Sequence, residues 1–290
     1  MKYYKKVIIH VLILTAMLCF ITVLLGRIQQ LAKITCLLEE DTTELLRQQQ
    51  IPAELYDLAA EYEEKSEFSR YDYLAAAILT EKSEQSLLDE YLNLLYQYYP
   101  QKIQYIVKLE RSVWEDLKYF PVPLQQPASD LDTSFENSWG FDRSFGGERA
   151  HEGTDIMASL NERGRYPIIS MTDGVVEKIG WLKLGGYRIG IRAPEGGYYY
   201  YAHLYDYAED FKEGDEVKAG ELLGFMGDSG YGEEGTVGQF AVHLHVGIYV
   251  DDENGEEMSL NPYWALKWLE PQRIYFHENQ TPKGGNYAVR

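Results

Sequence analysis

From Val7 to Leu25 every position is apolar except His10, Thr15 and Thr22. As a helix this run rises about 28 Å, close to the hydrocarbon thickness of a bilayer. The stretch that follows, LLGRIQQ, offers no small-x-small site for leader cleavage, and bulky Leu18 before Cys19 does not suit a lipoprotein. The pattern predicts an uncleaved transmembrane anchor. Apolar positions then recur at helical spacing. Leu87, Leu88, Tyr91, Leu94, Leu95 and Tyr98 form one such set, and Ile103, Ile106, Val107, Val113, Trp114 and Leu117 the next. Pro52 and Pro100 mark breaks between helices. Residues 27–119 are therefore expected to be an α-helical stem, packed on itself or on a partner.

The pattern changes after FPVPLQQPASD, whose three prolines predict a semi-rigid linker over residues 120–134. Short runs rich in β-formers follow, among them YPIISM, GVVEKI, YRIGIRA and YYYYAHL, separated by glycine-rich turns. They predict a mainly β domain over residues 135–268, closed by a helical turn at WALKWL. Residues 269–290 are expected to be a loose tail, and residues 1–26 the cytoplasmic N-terminus and anchor. No internal repeat or wall-binding module is visible.

Charge sharpens this division. The first 38 residues hold five basic groups and no acid, leaving 22 basic against all 46 acidic residues in the remainder. So acidic a body repels phosphate backbones, which argues against nucleic acid as a partner. Three lysines precede the apolar run against Arg27 and Lys33 after it, which places the N-terminus in the cytoplasm and the bulk of the chain outside. The two cysteines, Cys19 within the run and Cys36 just beyond it, cannot staple the body of the protein. Cys36 is either a free thiol or a link between two chains.

Four of the six histidines fall in the β region: His151, His203, His243 and His245. In VHLHV, residues two apart on a strand share a face, so His243 and His245 project together. A lone histidine is more often a satisfied structural residue, but a same-face pair beside a second His/Asp pair points to metal. HEGTD supplies that second pair, His151 and Asp155. It is close to the HExxH zinc helix, yet it ends in Asp, carries Gly153 and leads into β sequence, so Glu152 is not taken as a helical zincin base. Zinc in a hydrolase needs three ligands and one open position, and two histidines would remain for acid–base chemistry.

These residues resemble the lysostaphin-type, or LytM-like, zinc endopeptidases that hydrolyse peptidoglycan peptides. The resemblance covers roughly residues 120–265. It rests on His151-Glu-Gly-Thr-Asp155, Tyr201-Ala-His203-Leu204, His243-Leu-His245 and Asn261-Pro262 in the family's order, with FKEGDEVKAGELLGFMGDSG between them. It implies an antiparallel, barrel-sandwich-like peptidase fold. It also implies one Zn2+ held by His151, Asp155 and His245, with His203 and His243 as the catalytic pair. One histidine would take a proton from the attacking water, and the other would bind the oxyanion or protonate the leaving amine, in an order the sequence leaves open. The implied substrate is peptidoglycan peptide. Groove walls are expected near Trp181–Tyr187 and Gly230–Gly238.

Other readings compete. The KEGDEVKAGELLG turn grammar recurs in biotinyl and lipoyl carriers, but no lysine stands at a matching hairpin tip. YYYYAHL could be a sugar platform, although a strand packing alternate tyrosines inward and outward is the expectation. YLAAAILTEKS resembles the helix bearing the catalytic glutamate of lysozyme-like transglycosylases, with Glu81 as the acid. The stem is short for that module and Lys82 stands where a serine is usual. A rival of another class is a scaffold in an envelope or sporulation complex, using the domain for binding and the stem to dock an envelope protein.

Overall fold

The computed structural model describes residues 2–39, 42–126, 131–144 and 147–277. Helix α1 (Lys2–Glu39) runs through the apolar stretch without a break at the expected anchor boundary. Its segment Tyr4–Gln29 is long and apolar enough to cross a membrane and buries nothing against the rest of the chain. Near its end Ile34 is buried and the Thr35 hydroxyl lies 2.6 Å from that of Tyr99. The side chain of Cys36 lies outside the described residues.

The stem continues as α2 (Thr42–Gln48), α3 (Ala53–Glu63), α4 (Arg70–Thr80), α5 (Gln85–Tyr98) and α6 (Pro100–Trp114). Both prolines act as starts. Pro52 precedes α3 and Pro100 opens α6, where a missing N–H costs nothing. Ser69 caps α4 in a reciprocal box with Asp72. Helix α4 is buried from Tyr71 to Leu79 and forms the stem's centre. Glu81 ends this helix in a left-handed conformation with φ 55°, at the edge of a stem cavity, and is exposed where a general acid needs burial.

Ten strands form one sheet. They are β2 (Thr133–Ser134), β5 (Thr154–Ala158), β6 (Pro167–Ile169), β7 (Gly174–Leu182), β8 (Gly186–Arg192), β9 (Tyr198–Tyr207), β10 (Glu216–Val217), β11 (Leu222–Met226), β12 (His243–Asp251) and β13 (Glu257–Leu260). The main path is β10-β7-β8-β9-β12-β5-β2, its pairings antiparallel. Strand β12 pairs with β9 along one edge, while its other edge is shared between β5 and β13. A separate hairpin joins β3 (Asp142–Arg143) to β4 (Arg149–Ala150), and α7 (Tyr263–Leu269) supplies the closing helix. The C-terminal domain is mainly antiparallel β, as expected.

Two expectations differ from the structure. The proline-rich segment does not hang free over residues 120–126. Residues 120–123 are all buried, Phe120 and Val122 within the hydrophobic core, and β1 (Leu124–Gln126) pairs in parallel with β14 (Tyr275–His277). Proline suits extended backbone, and Pro121 and Pro123 are buried along with Phe120 and Val122. Residues 127–130 of the expected linker lie outside the described residues. Part of the expected tail is thus a strand, while residues 278–290 also lie outside.

The second difference is that the stem packs on the peptidase half and shares its core. Tyr56, Trp114 and Trp268 cluster with centroids 4.6–6.2 Å apart. The Tyr199 hydroxyl donates to the Val113 carbonyl at 2.7 Å, and the Asn261 N–H to the Arg47 carbonyl at 2.8 Å.

Candidate active site

Register explains why the histidines meet. On β12, His245 sits opposite Asp155 of β5 on one side and Ala202 of β9 on the other. His243 shares that face two residues earlier. His151 precedes β5 by three residues and swings over Asp155. Gly153 makes this possible, because a Cβ there would collide with the His245 imidazole.

His203 arrives differently. Tyr199 and Tyr201 point into the core, so strict alternation would send His203 inward too. The β8–β9 register shifts between Tyr187 and Ile189, and His203 takes φ 61°, rare for a side chain of this kind. The bulge turns the imidazole into the cleft, a re-aiming such irregularities provide. Phe240 holds the ring from one side, with centroids 4.6 Å apart, and His243 from another at 4.7 Å.

Three donor atoms converge. His151 Nε2 lies 3.0 Å from His245 Nδ1 and 3.1 Å from Asp155 Oδ1, and His245 Nδ1 lies 3.0 Å from the same oxygen. Ligands about 2.1 Å from a tetrahedral ion stand roughly 3.4 Å apart, so this set fits a small divalent metal. His151 Nδ1–H donates to the Ser138 carbonyl at 3.0 Å, which leaves Nε2 with its lone pair. Asp155 Oδ2 is taken by the Arg143 guanidinium at 2.6 Å, leaving Oδ1 for the cluster. Burial opposes ionisation of Asp155, but the imidazoles of His151 and His245 beside it outweigh that and hold the carboxyl below the usual range.

The two remaining histidines carry the same orientation device. A carbonyl can only accept, so contacts from His203 Nδ1 to Ser229 O and from His243 Nδ1 to Ala241 O, each 2.8 Å, put a proton on Nδ1 and make Nε2 the lone-pair nitrogen of the neutral ring. Burial, reinforced by the charges of His243 and His245, holds His203 well below the usual histidine range. Burial also lowers His245, against the pull of Asp155.

All five residues singled out in the sequence line one cleft of about 570 Å³. Leu182, Leu184, Gly185 and Tyr231 also line it, in or beside the expected wall segments. Tyr198 and Tyr200 lie along its floor, while Tyr199 and Tyr201 are buried beneath. The strand reading of YYYYAHL holds, and its outward tyrosines belong to the groove. Arg143, Arg149 and Arg188 line the cleft without having been foreseen. Nothing near them in sequence marks an arginine as a groove residue.

A family model, Peptidase family M23, matches residues 149–260. A solved structure described as a putative glycyl-glycine endopeptidase LytM from Ruminococcus gnavus ATCC 29149 aligns with TM-score 0.70 at 40% identity, covering 84% of this chain and 98% of that one. The chain belongs to peptidase family M23. The L-Ala--D-Glu endopeptidase of Bacillus subtilis (strain 168) is 46% identical over 152 residues, 52% of this chain and 43% of that protein. Glycyl-glycine endopeptidase ALE-1 of Staphylococcus capitis is 32% identical over 97 residues, 33% of this chain and 23% of that protein. The M23 chain thus spans less than half the length of these curated relatives. The likeness to the Ruminococcus structure extends over the stem as well as the peptidase domain, since 84% of the chain exceeds the sheet and its flanking segments.

Proposed function

We propose that this chain is a membrane-anchored zinc endopeptidase that hydrolyses the peptide part of peptidoglycan. The observation that carries this is the convergence of His151, Asp155 and His245 to 3.0–3.1 Å beside two further neutral-tautomer histidines. His151, Asp155 and His245 would hold the ion. Bound zinc supplies Lewis acidity, lowering the pKa of a water and polarising an amide carbonyl.

The chain's own groups do the rest. His203 and His243 present basic Nε2 atoms, so either accepts a proton as the attacking water adds to the carbonyl. A protonated imidazole of the pair then hydrogen-bonds the developing oxyanion or passes the proton to the departing amine. Burial keeps His203 uncharged before the reaction and ready to release a proton after it. Arg143 positions Asp155 by holding the oxygen that does not face the cluster.

For the bond cut we favour L-Ala–D-Glu, because the relative named for that activity shares 46% identity over 152 residues against 32% over 97 for the glycyl-glycine relative. The apolar helix would hold the peptidase outside the cytoplasmic membrane, close to the wall. The test uses the full chain in detergent with zinc, incubated with purified sacculi, and mass spectrometry of the released peptides. Expected products carry new N-terminal D-Glu, and they vanish with a chelator or in His245→Ala. A folded, zinc-loaded chain that releases no peptide would overturn the hydrolase reading in favour of a binding scaffold.

A further inference from the structure

Three arginines line the cleft, Arg143, Arg149 and Arg188. Arg143 is paired with Asp155, and Arg149 donates Nη2 to the Tyr231 hydroxyl at 3.4 Å while its buried Nε has no acceptor. Arg192, four residues beyond Arg188 on β8, is paired with Glu177 through Nε and Nη2 and donates Nη1 to the Gly196 carbonyl. Arg188 has no such partner. It is half-buried and lines the cleft, its Nη1 is shielded from solvent without an acceptor, and among the described residues its side chain makes no hydrogen bond or ion pair. Leaving a buried guanidinium N–H unsatisfied is costly, and Arg is the side chain best shaped to receive a carboxylate. Among the described residues no carboxylate is paired with this cation, although Glu152, Glu177 and Glu257 line the same cleft, so a group entering the cleft can compensate it.

Its position ties it to the reacting centre. Arg188 lies on β8 between Tyr187, opposite Leu204, and Ile189, opposite Tyr201. It thus faces the bulge that carries Ala202 and His203. The neighbouring turn fixes that bulge through the His203 N–H, which donates to the Gly185 carbonyl at 2.8 Å. The Arg188 charge acts on the phenols of Tyr198 and Tyr200, and Tyr200 reaches within 5.9 Å, centroid to centroid, of His245. Gly190, two residues along β8, leaves room for Tyr198 to lie over the strand, so aromatic rings floor the cleft beside the guanidinium.

We propose that Arg188 is a specificity residue that binds the free carboxylate of an acidic residue adjoining the scissile bond. This rests on the L-Ala–D-Glu reading above. A glutamate joined onward through one of its carboxyl groups keeps the other as a free anion, whereas a glycine bridge has none. The uncompensated guanidinium thus suits an acidic substrate and has no counterpart in a glycyl-glycine one.

Two synthetic L-Ala–D-Glu–L-Lys peptides, differing only in whether the free glutamyl carboxyl is an acid or a carboxamide, test it on the full chain in detergent. The wild-type chain is expected to favour the acid by about 10- to 100-fold in kcat/KM, as a charge-assisted pair provides. In Arg188→Gln the acid peptide loses that advantage, mainly through KM, while cleavage of the carboxamide stays within about threefold and shows the variant folded. No wild-type preference, or an equal loss on both peptides by a variant that melts normally, overturns the inference and leaves the hydrolase standing. Should Arg188→Gln fail to fold, Arg188→Lys decides. A shrunken preference supports bidentate binding, and an unchanged one refutes it. If the wild type cuts neither peptide yet opens sacculi at another bond, the L-Ala–D-Glu assignment falls and this inference with it.

Discussion

Glu110 offers a sharp test of how the stem is built. It is fully buried on α6, and Oε1 accepts from Gln49 Nε2 at 2.9 Å while Oε2 has no partner. Gln49 in turn accepts from Trp114 Nε1 at 3.1 Å and donates to the Leu46 carbonyl at 3.0 Å. Burial pushes the Glu110 carboxyl up to about 8, against the weaker pull of Gln49 and Trp114. The folded chain therefore holds this proton where the unfolded chain has already lost it. Between the ordinary glutamate value of 4.5 and about 8, stability must fall as pH rises, and above about 8 the whole penalty is present. At about 1.4 kcal/mol per pH unit across that gap, the penalty is roughly 3 to 5 kcal/mol.

Glu110→Gln keeps the acceptor for Gln49 and removes the ionisation. The full chain in detergent should melt at the same temperature as wild type near pH 5, where both side chains are neutral. Near pH 9 the variant should melt about 6–15 °C higher, at roughly 2–3 °C per kcal/mol for a chain of this size. Tryptophan fluorescence is a suitable readout because Trp114 belongs to the network. Parallel pH profiles for the two proteins would refute the reasoning.

Two further outcomes follow from the site and the seam. His203→Asn, chosen because asparagine tolerates the left-handed backbone there, and His243→Ala should each lower kcat on sacculi by about 10²- to 10⁴-fold while zinc content by mass spectrometry stays stoichiometric; loss of zinc instead would make them ligands. Tyr199→Phe deletes the 2.7 Å bond to the Val113 carbonyl and should cost about 1–2 kcal/mol in denaturant unfolding with kcat unchanged, and an unshifted midpoint would show that this bond does not tie stem to sheet.

The cluster could be read from the sequence because its chemistry is local. His243 and His245 share a face by the two-residue period of a strand, and His151 and Asp155 sit four apart in one loop-to-strand passage. His203 is another matter. Alternation from Tyr201 predicts an inward imidazole; composition alone made it one of four candidate histidines, and resemblance to a family pattern gave it its role. The bulge that turns it depends on how β8 registers against β9, which no window of residues around His203 contains. Arg143 and Arg188 were invisible for a similar reason. Arg143 meets Asp155 through the β3–β4 hairpin, and Arg188 reaches the groove through a strand pairing.

The stem and the proline-rich segment were misjudged as separate bodies because composition reports only neighbours along the chain. FPVP reads as a spacer, yet all four of its residues are buried, Phe120 and Val122 in the shared core. Trp114 and Trp268 lie in segments that read as independent helices, and their contact at 6.2 Å joins stem to peptidase. This coupling bears on the tether. Helix α1 continues some ten residues, about 15 Å, beyond its apolar span, and Ile34 and Thr35 pack there against the stem. With the stem in turn fixed to the sheet, the cleft would stand at a set height above the bilayer and sweep only as α1 tilts. If α1 anchors the chain as proposed, a flexible tether of the same length would let the peptidase sample a wide shell of wall, whereas this arrangement would restrict it to strands passing close to the membrane.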